Sequence, residues 1–484
     1  MDRSTENSVR ADAPALISGV IEGFYGRPWS QAQRRELFTL MSDGGLGTYS
    51  YGPKDDLKLR AEWRSLYGED EAAALKALVA ACREAGLRFN CAVAPGLDMA
   101  YAEEADWRHL ENKTAQLLDL GIRDFTLLFD DIPALLADRD AKRFATFAEA
   151  QCAVANHLLA FVRQRVDDGQ FFFCPTEYCG RFATPNVRES KYLREIGERL
   201  DAGIEIFWTG PEIVSATLPS ESLREVAGVL RRKPLIWDNL HANDYDIRRL
   251  YLGPYAGRGA QVLELVSGII TNPNCEYEAN FVPLTTLASF VADAAGYQPR
   301  TAYLKALEAW RQRFSFHGGG SPTVGELELL GDLFYLPFDQ GERAGELLRL
   351  AEELLSRPPA NWGERYERLR GVAREVAELF ERLTHLENRE LLYTLYRYLW
   401  DVRNEVGLLT SYLAWLQTEP SATETFGPPQ LVPNTYRGGL AAAIQRLLPV
   451  DESGEFLVHG ARQPTGGSGV GTGNGPGTGG SRPI

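Results

Sequence analysis

A cationic surplus, long apolar runs and any ordered cysteine pattern are all missing from this 484-residue chain. Against 51 Lys and Arg stand 66 Asp and Glu, a formal net charge of −15. Nothing is left over to displace the counterions of a nucleic acid or to dock on an anionic membrane. No apolar stretch approaches the roughly 20 residues that span a bilayer. The segment Met1 to Ala13 is polar, carries both signs of charge and lacks a signal-peptide core, so a cytoplasmic location is expected. The six cysteines (82, 91, 152, 174, 179, 275) follow neither a zinc spacing nor a disulfide framework. Most lie in apolar text such as Phe171-Phe172-Phe173-Cys174, which suits buried free thiols. With six histidines and no His-x-His or His-Glu-x-x-His pattern, neither a metal site nor a cofactor is expected.

What is present is ordinary globular composition, 44% apolar and 24% charged, with one recurring unit. From Ala15 to about Gly296 a short apolar, β-rich run is followed by a polar or glycine loop and then, in most cases, a helical pattern. The runs are Leu16–Ile21, Gly47–Tyr51, Leu87–Val93, Phe125–Phe129, Gln170–Cys174, Ile204–Trp208, Pro234–Trp237 and Gly268–Thr271. Helical text lies between them, as at Ala72–Ala85, Glu111–Leu120, Ala141–Val166 and Ser222–Arg231, and Ser30 with Gln33 makes a capping box. Alternation of β and α calls for parallel strands with right-handed crossovers, and eight such units in about 280 residues predict a (β/α)8 TIM barrel over residues 15–297. Residues 1–14 precede it as a disordered terminus.

From about Gln298 the pattern turns helical. Two apolar series step by three and four, Val372-Val376-Leu379-Leu383-Leu386 and Leu395-Leu399-Val402-Val406-Leu409-Leu413-Leu416, with a break of register around Glu387–Glu390. An α-helical bundle domain over 298–419 is expected, packed on the barrel; its seam could also be completed by a second subunit as a homodimer. Beyond Pro420, Leu440–Leu448 has the text of one short helix. The glycine-dominated stretch from Thr465 predicts a flexible C-terminal tail within 420–484.

The fourth run ends in adjacent carboxylates, Asp130-Asp131. The C-terminal ends of barrel strands carry the chemistry, and two neighbouring acids repel, so one should resist ionisation and stay a proton donor. Helix capping by Asp131 ahead of Ile132-Pro133 would explain one Asp but not both. The other strand ends add acids, amides, aromatics and Lys54, an inventory that suits sugar hydroxyls and pyranose faces better than phosphate.

Assembled in order, these loops closely resemble glycoside hydrolase family 84, the β-N-acetylglucosaminidases that include the cytoplasmic protein O-GlcNAcases of animals. The carrying segments are Gly19–Trp29, Tyr51–Asp56, Leu128–Ile132, Cys174–Cys179, Trp208–Pro211, Ile236–Asp246 and Thr271–Glu276, within residues 17–295. The resemblance implies a retaining, substrate-assisted mechanism, an exception to the two-carboxylate scheme. The substrate's 2-acetamido oxygen attacks the anomeric carbon and an oxazoline forms. Carried over residue by residue, Asp130 holds the acetamido N–H, Asp131 is the acid/base and Tyr178 bonds the acetamido oxygen. Trp237 walls the N-acetyl pocket, and Thr209 and Cys174 line it. Gly23, Phe24, Tyr25, Lys54, Asp238, Asn239, Asp244 and Asn272 are the remaining sugar-binding positions, Asp238 as a supporting acid. Glu22, Glu177 and His241 are expected to support the loops. Tyr49-Ser50-Tyr51-Gly52 departs from the family in carrying small residues before Pro53. The implied partner is a GlcNAc-modified protein or glycan. The rival readings are a hyaluronidase-like or cell-wall-sugar glycosidase and a glycan-binding scaffold.

Overall fold

The computed structural model describes residues 16–421 together with Glu424 and Phe426. Residues 1–14, the glycine-dominated stretch from Thr465 and the short helix at Leu440–Leu448 lie outside the described residues. Eight strands close a parallel barrel in sequence order: β1 (Ile17–Glu22), β2 (Thr48–Tyr51), β3 (Arg88–Val93), β4 (Asp124–Leu128), β5 (Phe171–Cys174), β6 (Ile204–Trp208), β7 (Leu235–Asp238) and β8 (Gly268–Thr271). Closure is made by β1 on β8, with Ile17 opposite Gly268 and Val20 opposite Thr271. Around it run α1 (Gln31–Asp43), α2 (Glu69–Glu84), α3 (Glu104–Asp119), α4 (Phe147–Arg163), α5 (Lys191–Arg199), α6 (Ser220–Leu230), α7 (Val262–Leu265) and α8 (Phe281–Ala292). The capping box at Ser30 and Gln33 is formed and starts α1. Helix α4 begins at Phe147 rather than Ala141, because the Thr146 side chain accepts the Glu149 amide and fixes the first turn there.

Strand alternation sorts each residue. In β4, Phe125 and Leu127 face the helices and join the large outer core, whereas Leu128 joins the inner cluster with Ile21, Phe172, Phe207, Trp237 and Ile270. The inner wall at β2 to β4 is polar: Ser50 and Thr126 both donate to Asn90 Oδ1. Buried groups of this kind need such partners.

Among the described residues five helices follow: α9 (Pro299–Trp310), α10 (Val324–Leu333), α11 (Glu342–Leu355), α12 (Gly363–Leu383) and α13 (Arg389–Leu416). The two apolar series belong to α12 and α13, which are separate helices packed as a hairpin. Val376, Leu379 and Leu383 meet Leu391, Leu395 and Leu399 in one cluster, while Leu369 and Val372 share another with Val406 and Leu413. The first cluster also takes in Leu250, Leu252, Ala279 and Val282 from the barrel side, so the bundle sits on the segments that follow β7 and β8. Each fully buried Leu there contributes about 2 kcal/mol of apolar transfer.

Candidate active site

Asp130 follows Leu128 in the alternation of β4 and so points into the barrel mouth. Regular strand geometry would turn Asp131 the other way. Instead Asp131 adopts a left-handed backbone (φ 50°), a conformation that Asp tolerates better than most residues, and no helix begins there. That single kink brings two consecutive carboxylates into one site, and helix capping is thereby ruled out for Asp131.

Their surroundings differ. Asp130 Oδ2 accepts from Lys54 Nζ at 2.7 Å, in a pair whose side chains are only 8% and 4% exposed. Burial by itself would raise the Asp130 carboxyl, but Lys54, seconded by Arg60, outweighs it and holds the group below the usual carboxylate range. Lys54 is likewise held above its ordinary value, because Asp130 overcomes the burial that disfavours the ammonium. Asp130 Oδ1 is buried and has no partner. Asp131 instead takes two hydroxyls, Tyr178 on Oδ1 at 3.0 Å and Tyr25 on Oδ2 at 3.1 Å. Burial, then the neighbouring carboxylates, push the Tyr178 phenol well above its ordinary range. Burial likewise lifts that of Tyr25 to about 12, so both are donors at neutral pH.

A tryptophan tile stands beside the acids. Trp237 packs edge-on against Phe207 (centroids 5.2 Å) in the inner cluster that also holds Cys174 and Tyr178. Its indole N–H donates to Asn239 Oδ1 at 2.9 Å, and Asn272 Nδ2 donates to the same oxygen at 3.1 Å. Asn239 is itself anchored to the Ile213 carbonyl, and Asn272 Oδ1 is buried with no partner. Gly23 lies against the tile: a Cβ there would come within 2.7 Å of Trp237 Cζ2, so any larger residue displaces the ring. Asp244 Oδ2 accepts the Tyr25 amide at 2.9 Å, and burial raises its carboxyl.

One expected binding position, Phe24, is placed differently; Asp238, Thr209 and Cys174 hold supporting or wall positions. Phe24 is 1% exposed and packs on Trp29 at 5.3 Å, so its ring belongs to the outer core and not to a sugar site. Asp238 has no free oxygen: Arg258 donates to both, Tyr255 to Oδ2 and the Leu240 amide to Oδ1. It is an internal brace of the loop after β7. The Thr209 hydroxyl donates to the Glu212 carbonyl and its amide bonds the Tyr178 carbonyl, so it steadies Tyr178. Cys174 is 2% exposed, and burial raises its thiol far above normal, which keeps it an uncharged wall. Glu22 braces Arg34, Tyr49 and the Trp29 amide, Glu177 accepts from Ser190, and His241 is buried against the Gly253 carbonyl.

Two contributors went unread in the sequence. Arg60 lies 5.7 Å from the Tyr25 ring centroid and donates to the Asp131 carbonyl at 3.4 Å. Phe182 packs edge-on against Tyr178 and is 38% exposed. Each stands a few residues beyond a quoted motif, and that proximity was the available signal.

A closed barrel with paired aspartates and an aromatic wall at its mouth has the layout of a glycoside hydrolase. The sequence pattern of the beta-N-acetylglucosaminidase family matches residues 18–316. The Mus musculus and Rattus norvegicus proteins named Protein O-GlcNAcase are each 29% identical over alignments covering 92% of this chain and 70% of theirs. A mutant of the Thermobaculum terrenum O-GlcNAc hydrolase superposes with a TM-score of 0.70 at 26% identity, covering 83% of this chain and 82% of that one. The chain belongs to the beta-N-acetylglucosaminidase family and is a glycoside hydrolase. Among the described residues no cluster of three or more His, Cys, Asp or Glu is placed to hold a metal ion, and no helix is long and apolar enough to cross a membrane.

Proposed function

We propose that this β-N-acetylglucosaminidase removes terminal β-linked GlcNAc from Ser and Thr of glycoproteins, and that the substrate's own amide is the nucleophile. The observation that carries this reading is the buried, unpartnered Oδ1 of Asp130, one residue from an acid engaged by two tyrosines. A charged acceptor without a donor is costly in a folded protein, and the acetamido N–H is a donor of the right kind. Asp130 accepts that N–H and makes the amide oxygen more electron-rich, while Tyr178 orients the oxygen beneath the anomeric carbon and Trp237 encloses the methyl group. The oxygen forms a bond to the anomeric carbon as the glycosidic bond breaks. The departing oxygen takes the proton of Asp131, and the amide N–H proton passes to the Asp130 carboxylate, leaving an oxazoline; the proton returns to nitrogen when the ring reopens. Water then adds to the anomeric carbon and gives its proton back to Asp131, and the ring reopens to GlcNAc with retained configuration.

Glycoprotein as substrate is supported by the names of the mouse and rat relatives. Six free thiols are consistent with a reducing compartment such as the cytoplasm. The homodimer reading has support in α13, where Tyr393 (62%), Tyr396 (40%) and Trp400 (40%) are part-exposed aromatics, the last two lying against Phe380 of α12. Asp131→Ala tests the proton donor. Turnover of a GlcNAc-serine peptide should fall by about a thousandfold, the middle of the range for acid/base groups, while an aryl β-GlcNAc with a very acidic leaving group retains most of its rate. Uniform inactivity would assign Asp131 another role. Equal turnover of a β-glucoside without the amide would remove the nucleophile from the scheme.

A further inference from the structure

The Tyr25 hydroxyl reaches Asp131, and what holds Tyr25 in place is drawn from the far end of the chain. Its amide donates to Asp244 in the loop after β7, and its carbonyl accepts the Cys275 thiol at 3.4 Å in the loop after β8. These two loops are tied to each other: the Cys275 amide donates to Asn243 Oδ1 at 2.8 Å, and Asn243 Nδ2 donates to Glu276 Oε2 at 2.7 Å. The second oxygen of Glu276 leaves the barrel altogether. It pairs with Arg397 and accepts the Tyr398 hydroxyl at 2.7 Å, both on α13. One carboxylate thus joins the helical domain to the residues flanking both grips on Tyr25. The junction is stiff, because Tyr398, Leu395 and Leu399 lie in the same buried cluster as Leu250, Leu252 and Ala279.

We propose that α13 is a positioning element for the reaction: by fixing Glu276 it holds the loops after β7 and β8 around the Tyr25 backbone and so sets the Tyr25 hydroxyl against Asp131. Arg397, Tyr398 and Glu276 are positioning residues, none touching substrate. This rests on Asp131 being the proton donor. A bundle that merely stabilises the barrel would affect every substrate alike, whereas loosening Tyr25 affects the proton transfer and therefore depends on how much help the leaving group needs.

The test uses the full chain carrying Arg397→Met with Tyr398→Phe. Its kcat/KM for a β-GlcNAc with an unactivated alkyl leaving group should fall about tenfold, the scale of one hydrogen bond to a charged group, with little change for an activated aryl β-GlcNAc. In a Tyr25→Phe background the same pair of substitutions should add no further leaving-group dependence, since the coupling has already been cut. Arg403→Met, which breaks the Arg403–Glu381 pair elsewhere on α13, is the control and should leave both rates unchanged. Equal losses on both substrates, no loss on either, or additive losses in the Tyr25→Phe background would overturn the coupling. Asp131→Ala separates the two levels. Leaving-group dependence there but not in the α13 variant sinks the coupling alone, and its absence in Asp131→Ala sinks the donor assignment beneath it.

Discussion

Two buried acids at the ends of barrel strands, Asp130 after β4 and Asp238 at the end of β7, each face a buried cation and yet do opposite things. Asp238 accepts four hydrogen bonds from Arg258, Tyr255 and Leu240 and is complete. Asp130 accepts one side-chain bond, from Lys54, and keeps an oxygen with no partner. In both, burial would raise the carboxyl and the cation overcomes it. Charge alone does not separate a brace from a binding group; saturation does. A carboxylate oxygen left without a partner at the barrel mouth can take a donor from a bound molecule, whereas a saturated one cannot.

Breaking each pair should give different losses. The largest is expected for Asp130→Asn, which removes the charged acceptor: kcat/KM on aryl β-GlcNAc should fall by about a thousandfold, or ~4 kcal/mol, with a smaller shift in melting temperature than the second variant gives. Asp238→Asn should show the reverse in stability. Leaving Arg258 buried without its counter-charge costs about 3 kcal/mol, read from the urea midpoint, with the activity loss following the unfolded fraction. If Asp130→Asn proves the more destabilising and Asp238→Asn the more damaging to turnover of folded enzyme, the comparison fails.

The smallest effect concerns His241, next in line along the Asp238 loop. Burial, against the Gly253 carbonyl, lowers its imidazole to about 4. The unfolded chain protonates this group near pH 6.5 and the folded one only near 4, so between those values the unfolded state holds more protons. Stability therefore falls as pH drops through that window, by about 2 kcal/mol from pH 7.5 to 5. Urea midpoints measured across this range should lose most of that slope in His241→Gln.

Much of this was legible in the sequence, for reasons that differ by level. The eight strands read clearly because a parallel strand covered on both faces is a plain apolar run, and observed and expected limits differ by at most one residue at either end. The carboxylate pair stood out because nothing in a core accounts for two adjacent aspartates. What escaped notice was direction and partnership. Phe24 sits inside a sugar-site motif, yet its ring turns to the outer core; the supporting role expected of Asp238 has a partner, Arg258, that folds back from twenty residues later. The repulsion argument expected one of the two acids to resist ionisation without saying which; Lys54, arriving from the loop after β2, holds the Asp130 carboxyl below the usual range. No local pattern announces that encounter, nor the reach of Arg397 to Glu276.

The closing seam of the barrel has a bearing on biosynthesis. Strand β1 meets its second neighbour only when β8 has been made, and Trp237, Asp244, Asn272 and Glu276 all arrive in that last third of the barrel. A nascent chain leaving the ribosome carries both aspartates long before the Trp237 wall and the residues of the last two loops exist. Half-finished molecules are thus chemically silent, and hydrolytic competence switches on in one late step when the first and final strands zip together.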